Sequence, residues 1–218
     1  MSRSRSRYDL QVHTDASPCS ATSPEAVAQA AEKAALDGIV VTDHDTLANV
    51  DRVRSSAPDD LDVVSGVEVT TTQGHLLGID IERAPPQTDP LSVIDDIHDQ
   101  DGLAVLSHPF DALRQVYDTD LAALAAAVDG VEAINARCVR ESFNHEARAF
   151  AAHHDLATTG GSDAHFPMEV GRAYTECEGS LREAIRTGTT VPRGRGRYLS
   201  GHVATKLHQA RRAVAGWR

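Results

Sequence analysis

Histidine and carboxylate side chains follow short apolar runs at several points of this 218-residue sequence. In residues 39–46 the run Ile-Val-Val-Thr leads directly into an acid-imidazole-acid cluster centred on His44. Other residues placed in this way are Glu68, His108, Asp163 and His165. Imidazole and carboxylate groups in combination suit zinc, manganese or iron ions, whereas a cysteine-rich set would indicate structural zinc. We therefore expect these groups, together with His13 and His75, to converge on one cluster of metal ions.

Strands and helices must bring these groups together, and the hydrophobic pattern predicts both. Continuous apolar runs such as residues 103–107 are typical of buried parallel strands. Ser23 and Asp89, each followed by proline, are typical helix starts. The alternation of strand and helix over residues 8–187 predicts a single α/β domain with a parallel sheet, either a barrel or an open sheet. Since sites of both folds lie at the carboxyl ends of strands, the polar groups are expected at that end.

Residues 1–7 and 188–218 are expected to lie outside this domain. The first segment alternates serine and arginine and is predicted to be a disordered leader, without the apolar stretch of a secretory signal. Residues 188–196 are rich in glycine, proline and arginine and are expected to be irregular, whereas residues 201–215 have a basic, helical pattern. The predicted domain therefore spans residues 8–187, followed by a basic tail that is partly helical.

The composition argues against two classes of protein. No apolar run comes near the roughly 20 residues that a membrane-spanning helix needs, so no membrane partner is expected. The three cysteines are odd in number and show no paired spacing. That pattern argues against a disulfide scaffold and predicts a reducing, cytoplasmic setting. None of these patterns determines the oligomeric state.

Charge is distributed unevenly along the chain, whose net charge is −11. Residues 182–218 contain nine of the 21 lysines and arginines but one of the 32 acidic residues. A basic tail of this kind can bind a nucleic acid or another anionic surface. It can equally fold back on the acidic body of the chain, and both alternatives remain open.

Six short motifs, in this order, resemble the PHP family, which is named for polymerase and histidinol phosphatase. They are D-L-x-x-H-T-x-x-S at 9–17, T-D-H-D-T at 42–46, G-V-E at 66–68, H-L-L-G-I at 75–79, S-H-P at 107–109 and G-S-D-A-H at 161–165. The segment from Asn135 to Thr175 also resembles the PHP-associated C-terminal motif. Each motif alone carries little information, but their combined order is specific. The resemblance covers roughly residues 8–176.

The resemblance implies a distorted (β/α)7 barrel with a multinuclear metal site at the carboxyl ends of its strands. The residues that match ligands by position are His13, His44, Glu68, His75, His108, Asp163 and His165. Glu68 would bridge two ions, and His44, Glu68 and Asp163 are the expected catalytic residues. The implied cofactors are divalent ions, two or three of manganese, zinc or iron. Because such ions form a hydroxide at neutral pH and clamp a phosphoryl group, the resemblance implies phosphoester hydrolysis.

Two positions depart from the family pattern. The first histidine of the family's H-x-H motif is Gln11 here, and an amide oxygen coordinates metal less strongly than imidazole does. Cys19 stands near a position where the family often has a histidine or aspartate ligand. Gln11 and Cys19 are therefore weak candidate ligands, although a buried, inert cysteine is the more common outcome.

Arg137 and Arg172 could bind a substrate phosphate through bidentate hydrogen bonds. Each could instead form a salt bridge with one of the many acidic residues, and the sequence leaves both alternatives open. Asp43 and Asp45 are expected either to orient the histidine ligands or to cap a helix.

The expected activity is metal-dependent hydrolysis of a phosphomonoester or phosphodiester, with a small nucleotide, an oligonucleotide end or another small phosphorylated compound as substrate. One alternative is an amidohydrolase-like metal hydrolase. No lysine follows a strand as a bridging ligand would, since Lys33 and Lys206 both lie in helical patterns, and this argues against that alternative. The other alternative is a weakly active or non-catalytic module, in which Gln11 marks a degenerate site that binds metal or nucleic acid.

Overall fold

The computed structural model describes residues 5–114, 117, 120–196 and 205, which form one sheet whose strands alternate with helices. The nine strands are β1 (Ser6–Val12), β2 (Gly38–Val41), β3 (Asp62–Thr70), β4 (His75–Ile79), β5 (Leu103–Ser107), β6 (Gly130–Asn135), β7 (Ala157–Gly161), β8 (Ala173–Cys177) and β9 (Val191–Gly194). The six α-helices are α1 (Pro24–Lys33), α2 (Val50–Ser56), α3 (Pro90–Asp99), α4 (Leu121–Ala127), α5 (Glu141–His153) and α6 (Leu181–Arg186), and a 3-10 helix covers Pro167–Glu169. Between β1 and β7 every connection carries a helix except the one from β3 to β4.

The order of strands in the sheet is β7-β6-β5-β4-β3-β2-β1-β8-β9. Strands β1 to β3 run parallel to one another, as do β5 to β7, and β4 lies antiparallel between the two groups. The chain after β7 returns to β1, where His13 N donates to Ala164 O at 2.9 Å and Ala164 N donates to Gln11 O at 3.2 Å. These bonds bring the two sides of the sheet together. The architecture is therefore a single-domain, nearly closed and distorted barrel, which confirms the predicted fold class.

The prediction of a uniformly parallel sheet is wrong at three strands. β4, β8 and β9 each run antiparallel to their neighbours. Residues 71–74, which join β3 to β4, are too few for the crossover that a parallel connection needs, so the chain turns back as a hairpin. Residues 188–196, predicted to be irregular, contain β9, because β8 offers it an edge with free backbone groups.

The two ends of the domain also differ from their predicted bounds. Strand β1 begins at Ser6, whose backbone pairs with Cys177 of β8, so the last residues of the segment 1–7 are ordered. A stretch of alternating serine and arginine gave no sign of this, because the pairing uses backbone groups rather than side chains. The predicted basic helix at 201–215 lies outside the described residues, apart from Thr205.

Apolar side chains on the two faces of β4 pack in opposite directions, as the alternation of a strand requires. Leu76 belongs to a cluster with Ile94 and Ile97 of α3, which covers the outside of the barrel. Leu77 belongs to a second cluster with Leu10 of β1, together with residues of α6. Burial of each such side chain contributes about 1.5–3 kcal/mol relative to its exposure.

The helices are short, and the longest in the described part of the chain, α5, has 13 residues. None of the helices in those ranges combines the length and the apolar character needed to cross a membrane.

Candidate metal centre

The predicted ligand residues meet at one mouth of the barrel. They are His13, His44, Glu68, His75, His108, Asp163 and His165, and each is buried or half-buried. All except His75 stand within or just after a strand that runs toward this mouth, whereas His75 begins β4. Because β4 is antiparallel, its first residue lies at the same rim as the last residues of its neighbours. Six of the seven line a cavity of about 230 Å³, and His13 lies fully buried behind them.

Glu68 is the hub of this cluster, with four imidazoles around its buried carboxylate. Its Oε2 lies 3.1 Å from His13 Nε2 and 3.6 Å from His44 Nε2. Its Oε1 lies 3.2 Å from His75 Nδ1 and 3.1 Å from His108 Nε2. Burial alone would raise the pKa of Glu68, but the surrounding histidines hold that pKa well below its ordinary value. The cluster is therefore built around a carboxylate that stays charged.

Among the described residues, the donor atoms fall into three groups, each compact enough to hold one ion. The groups are Glu68 with His75 and His108, His13 with Glu68 and Asp163, and His13 with His44 and His165. In each group the ligand atoms lie within 4.8 Å of one another. Since Glu68 and His13 each belong to two groups, the three positions are adjacent and share ligands.

A chain of hydrogen bonds fixes the ring of His13. Ser17 Oγ donates its proton to Asp43 Oδ1 at 2.6 Å, so it must accept from His13 Nδ1, which lies 3.0 Å away. Nδ1 of His13 therefore carries a proton, and Nε2, the nitrogen available to a metal ion, lies 3.1 Å from Glu68 and 3.3 Å from Asp163. Of the two roles expected for Asp43, the structure shows the first, because this carboxylate orients a candidate ligand.

Several buried imidazole nitrogens have no hydrogen-bond partner within the described part of the chain. They are His13 Nε2, His75 Nδ1 and His108 Nδ1. A buried polar group left in this state costs on the order of 1–3 kcal/mol. For His13 and His75 an oxygen of Glu68 lies 3.1 and 3.2 Å away, so a cation between this carboxylate and each imidazole would satisfy both groups. The residues present therefore fit divalent metal ions.

Three residues at the mouth take up a left-handed backbone conformation that residues other than glycine rarely adopt. The angle φ is 57° at Asp45, 29° at His108 and 56° at Asp163. His108 is held there by its N–H, which donates to Glu132 Oε2 at 2.8 Å. Asp45 accepts hydrogen bonds from the N–H and the hydroxyl of Thr70 at 2.7 and 3.0 Å. Such conformations persist where the surroundings fix them, and they concentrate at functional sites.

Glu132 is a buried acid of the site that the sequence reasoning missed. Besides His108 N–H it accepts a hydrogen bond from Asn135 Nδ2 at 3.0 Å. Burial, followed by the nearby charges of Asp163 and Glu68, raises the pKa of Glu132 well above its ordinary value. The signal that could have identified it is an acid inside the apolar run Gly-Val-Glu-Ala-Ile of β6.

Gln11 and Cys19, the weak candidate ligands, both lie at the site. Gln11 is buried, and each end of its amide is hydrogen-bonded: Nε2 donates to Ser107 Oγ and Oε1 accepts from Asn135 Nδ2, both at 3.2 Å. Coordination by the amide oxygen would have to compete with the bond to Asn135. Cys19 lines the cavity, and burial raises the pKa of its thiol, which disfavours the thiolate that metals bind.

The two candidate phosphate-binding arginines lie in different places. Arg137 lines the cavity, but its Nη1 lies 3.1 Å from both carboxylate oxygens of Glu169 and its Nη2 donates to Thr205 Oγ1 at 2.9 Å. The salt bridge that was the alternative for Arg137 is therefore present. Arg172 is exposed, its Nε donates to Met168 O, and it is not among the described residues that line the cavity.

Arg114 is a second residue that the sequence reasoning missed. Its Nη1 lies 2.5 Å from Asp163 Oδ2, and its Nε lies 3.3 Å from Asp111 Oδ2. The guanidinium lines the cavity, and the side chain is 19% exposed. Arg114 comes from the irregular segment after β5, where no periodicity links it to the motif at His108.

Sequence comparisons relate this chain to known proteins. A family model described as PHP-associated matches residues 141–190. The chain is similar to two uncharacterised proteins of Methanocaldococcus jannaschii. The first, MJ1587, is 30% identical over 147 residues, which cover 60% of this chain and 82% of the relative. The second, MJ0417, is 30% identical over 177 residues, which cover 77% of this chain and 69% of the relative.

Two solved structures are similar to this barrel. One is a two-domain protein from Bacteroides vulgatus containing a predicted PHP-like metal-dependent phosphoesterase, with a TM-score of 0.76 and 21% identity over 88% of this chain and 66% of that chain. The other is an amidohydrolase from Chromobacterium violaceum with bound sulfate and no metal, with a TM-score of 0.59 and 17% identity over 90% of this chain and 96% of that chain. At these identities the likeness shows the fold alone.

The barrel of this chain is thus the fold of a protein that contains a predicted PHP-like metal-dependent phosphoesterase, and buried imidazole and carboxylate groups lie at its mouth here. This chain belongs to the PHP family.

Proposed function

We propose that this protein is a metal-dependent phosphoesterase. The observation that carries the proposal is the environment of His13, whose buried Nε2 lies 3.1 Å from Glu68 and 3.3 Å from Asp163 and has no hydrogen-bond partner among the described residues. A divalent cation satisfies all three groups at once. The mixture of imidazole and carboxylate donors supports manganese, zinc or iron as the ion.

The residues that would hold the ions are His13, His44, Glu68, His75, His108, Asp163 and His165. Divalent ions bound there would lower the pKa of water and neutralise the charge of a phosphoryl group. Glu68 would hold two ions side by side, because its two oxygens face different pairs of histidines. His165 Nδ1 donates to the backbone oxygen of Asp163 at 2.8 Å, which fixes its ring and leaves Nε2 as the donor atom.

The proposed substrate is a phosphomonoester or phosphodiester of the nucleotide or oligonucleotide-end type. The cavity of about 230 Å³ admits a phosphoryl group with part of its leaving group and is too small for a folded nucleic acid. The guanidinium groups of Arg114 and Arg137 lie in its wall, each paired with a carboxylate. Bound divalent ions would supply the positive charge that an anionic substrate needs. His44, Glu68 and Asp163 are the proposed catalytic residues.

A second candidate is an amidohydrolase-like reaction, which the structural similarity to the Chromobacterium violaceum amidohydrolase favours. The metal site alone suits either reaction, since ions that polarise a phosphoryl oxygen also polarise a carbonyl. Within the described residues the lysine position argues against this candidate, because Lys33 is exposed at the end of α1. A substrate panel that contains both phosphoesters and amides separates the two.

The test uses protein loaded with Mn²⁺ and assayed against phosphomonoesters, phosphodiesters, short RNA and simple amides. We expect turnover of a phosphoester, with His44→Ala and Asp163→Ala each lowering kcat/KM by about 100-fold or more. His98→Ala is the matched control, because His98 pairs with Asp129 on an exposed surface. Full activity in either site variant would contradict the assignment, and no turnover by metal-loaded protein would favour the non-catalytic alternative.

A further inference from the structure

We propose that Arg114 is a built-in cation: its guanidinium occupies the side of Asp163 where a further metal ion would bind, so that the site works with a pair of ions and one arginine. This inference rests on the metal-dependent function proposed above.

The position of Arg114 is fixed by the turn that follows His108. Asp111 N donates to His108 O at 3.1 Å, and Arg114 N donates to Asp111 O at 2.9 Å. The buried carboxylate of Asp111 then holds Arg114 Nε at 3.3 Å. Two contacts with one acid, through backbone and side chain, direct the guanidinium toward Asp163. A flexible surface arginine has no such support.

The two oxygens of Asp163 face different surroundings. Oδ1 lies 3.3 Å from His13 Nε2 and 3.5 Å from His165 Nδ1, on the side of the imidazole donors. Oδ2 lies 2.5 Å from Arg114 Nη1 and 3.3 Å from Asn135 Nδ2, so it already has a positive charge and an amide beside it. A metal ion on the Oδ2 side would have to displace the guanidinium or bind despite repulsion from its positive charge.

Gln11 lies on this same side of Asp163. Asn135 Nδ2 is within hydrogen-bond distance of both Gln11 Oε1 and Asp163 Oδ2, at 3.2 and 3.3 Å. The position where the H-x-H motif places an imidazole thus holds a neutral amide whose polar ends are already bonded. On the Oδ2 side of Asp163, the Gln11 amide is thus a weaker metal ligand than an imidazole would be, and the Arg114 guanidinium is a permanent cation.

His13 limits the number of ions independently. Its Nδ1 is bonded to Ser17, so only Nε2 remains to coordinate. Two of the three donor groups require that one atom, and they cannot both be complete. A pair of ions with Arg114 as the third positive charge satisfies the available donors.

The test measures bound metal rather than activity, with Mn²⁺ content determined by plasma mass spectrometry after loading and desalting. Four proteins are compared: wild type, Gln11→His, Gln11→His with Arg114→Gln, and Gln11→His with Arg114→Lys. We expect Gln11→His alone to hold the same amount as wild type, because Arg114 still occupies the position. The double variant with Arg114→Gln should gain about one ion per chain, and the double variant with Arg114→Lys should not.

A gain of one ion by Gln11→His alone, or no gain by the double variant with Arg114→Gln, overturns the proposal. Arg114→Met replaces Arg114→Gln if circular dichroism shows that the latter does not fold. If Arg114→Gln in the otherwise unchanged protein loses binding of inorganic phosphate while the double variant gains no metal, Arg114 binds the substrate instead. Metal content is independent of turnover, so a shift in content without phosphoester hydrolysis would leave this inference standing and remove only the proposed function.

Discussion

His44 and Glu68 face each other across a parallel β-bridge that continues the β2–β3 pairing beyond the end of β2. Glu68 N donates to Asp43 O at 3.2 Å, and Asp45 N donates to Glu68 O at 3.1 Å. The separation of the two side chains is therefore set by backbone hydrogen bonds on both sides of His44. A site held in this way is organised before any ligand arrives.

Asp45, the residue after His44, stabilises this bridge because its carboxylate accepts two hydrogen bonds from Thr70 of β3. Asp45→Ala removes both bonds and puts alanine at φ 57°, so we expect the free energy of unfolding to fall by about 2 kcal/mol. Asp45→Asn should lose less than half of that, since asparagine tolerates the left-handed conformation and keeps one acceptor. Urea unfolding of the three proteins measures the difference, and equal losses in both variants would show that the bonds to Thr70 are unimportant.

Ser17 connects Asp43 to His13, so Ser17→Ala should free the ring of His13. We expect metal affinity to fall by about 10- to 100-fold, as for other partners of metal-bound histidines. The matched control is Ser55→Ala, because the Ser55 hydroxyl donates to Asp51 O on the exposed face of α2, away from the site. Titration with Mn²⁺ gives the affinities, and nitrogen chemical shifts of His13 report its tautomer. An unchanged tautomer would contradict the hydrogen-bond chain.

Removal of metal should lower thermal stability. A ligand present at about 100 times its Kd stabilises the folded state by about 2.7 kcal/mol, so chelation should lower Tm by several degrees. Glu68→Gln should abolish most of that difference, because the shared carboxylate is lost from two donor groups. Calorimetry with and without chelator measures both effects. A Glu68→Gln variant with the full difference would place the ions elsewhere.

Tyr8 makes stability depend on alkaline pH. Burial and then the charge of Asp62, to which its hydroxyl donates at 3.0 Å, raise the pKa of Tyr8 above its ordinary value. The unfolded chain therefore releases this proton first, at a pH near 10. The stabilisation is complete below that pH and is lost as the pH rises, by about 1.4 kcal/mol per unit until the folded pKa is reached. Urea unfolding at pH 9, 10 and 11 should show the free energy of unfolding falling more steeply with pH in wild type than in Tyr8→Phe. The difference between the two slopes should grow toward one proton above pH 10.

The candidate ligands could be predicted because each stands in or beside an apolar run. A polar side chain buried there costs free energy unless it has a partner such as a metal ion. His44 and His108 follow such runs directly. The sequence places His75 at the start of a strand, but the direction of β4 could not be predicted in the same way, since the pattern does not show whether that strand runs parallel or antiparallel to β3. The hairpin of residues 71–74 makes β4 antiparallel, and these four residues contain no strong turn motif from which a hairpin could be predicted.

The partners of the ligands were harder to predict than the ligands. Ser17 and Arg114 act through the orientation of one hydroxyl and one guanidinium. Ser17 ends the motif at 9–17, but the motif does not show which groups its hydroxyl contacts, and Arg114 belongs to none of the six motifs. Glu132 is an acid inside an apolar run, a signal that marks a buried carboxylate, but its place beside Asp163 is known only from the structure. Arg137 could be assigned to the site, but its pairing with Glu169 depends on a contact 32 residues away.

The reversal of β4 has a consequence for how this protein could be altered. In a regular barrel each loop at the active face joins a strand to the helix that follows it. Here residues 71–74 join two strands directly, and His75 is the first residue of the second strand. Insertions at this tip could recognise larger or differently shaped molecules while the helices and the apolar base stay as they are.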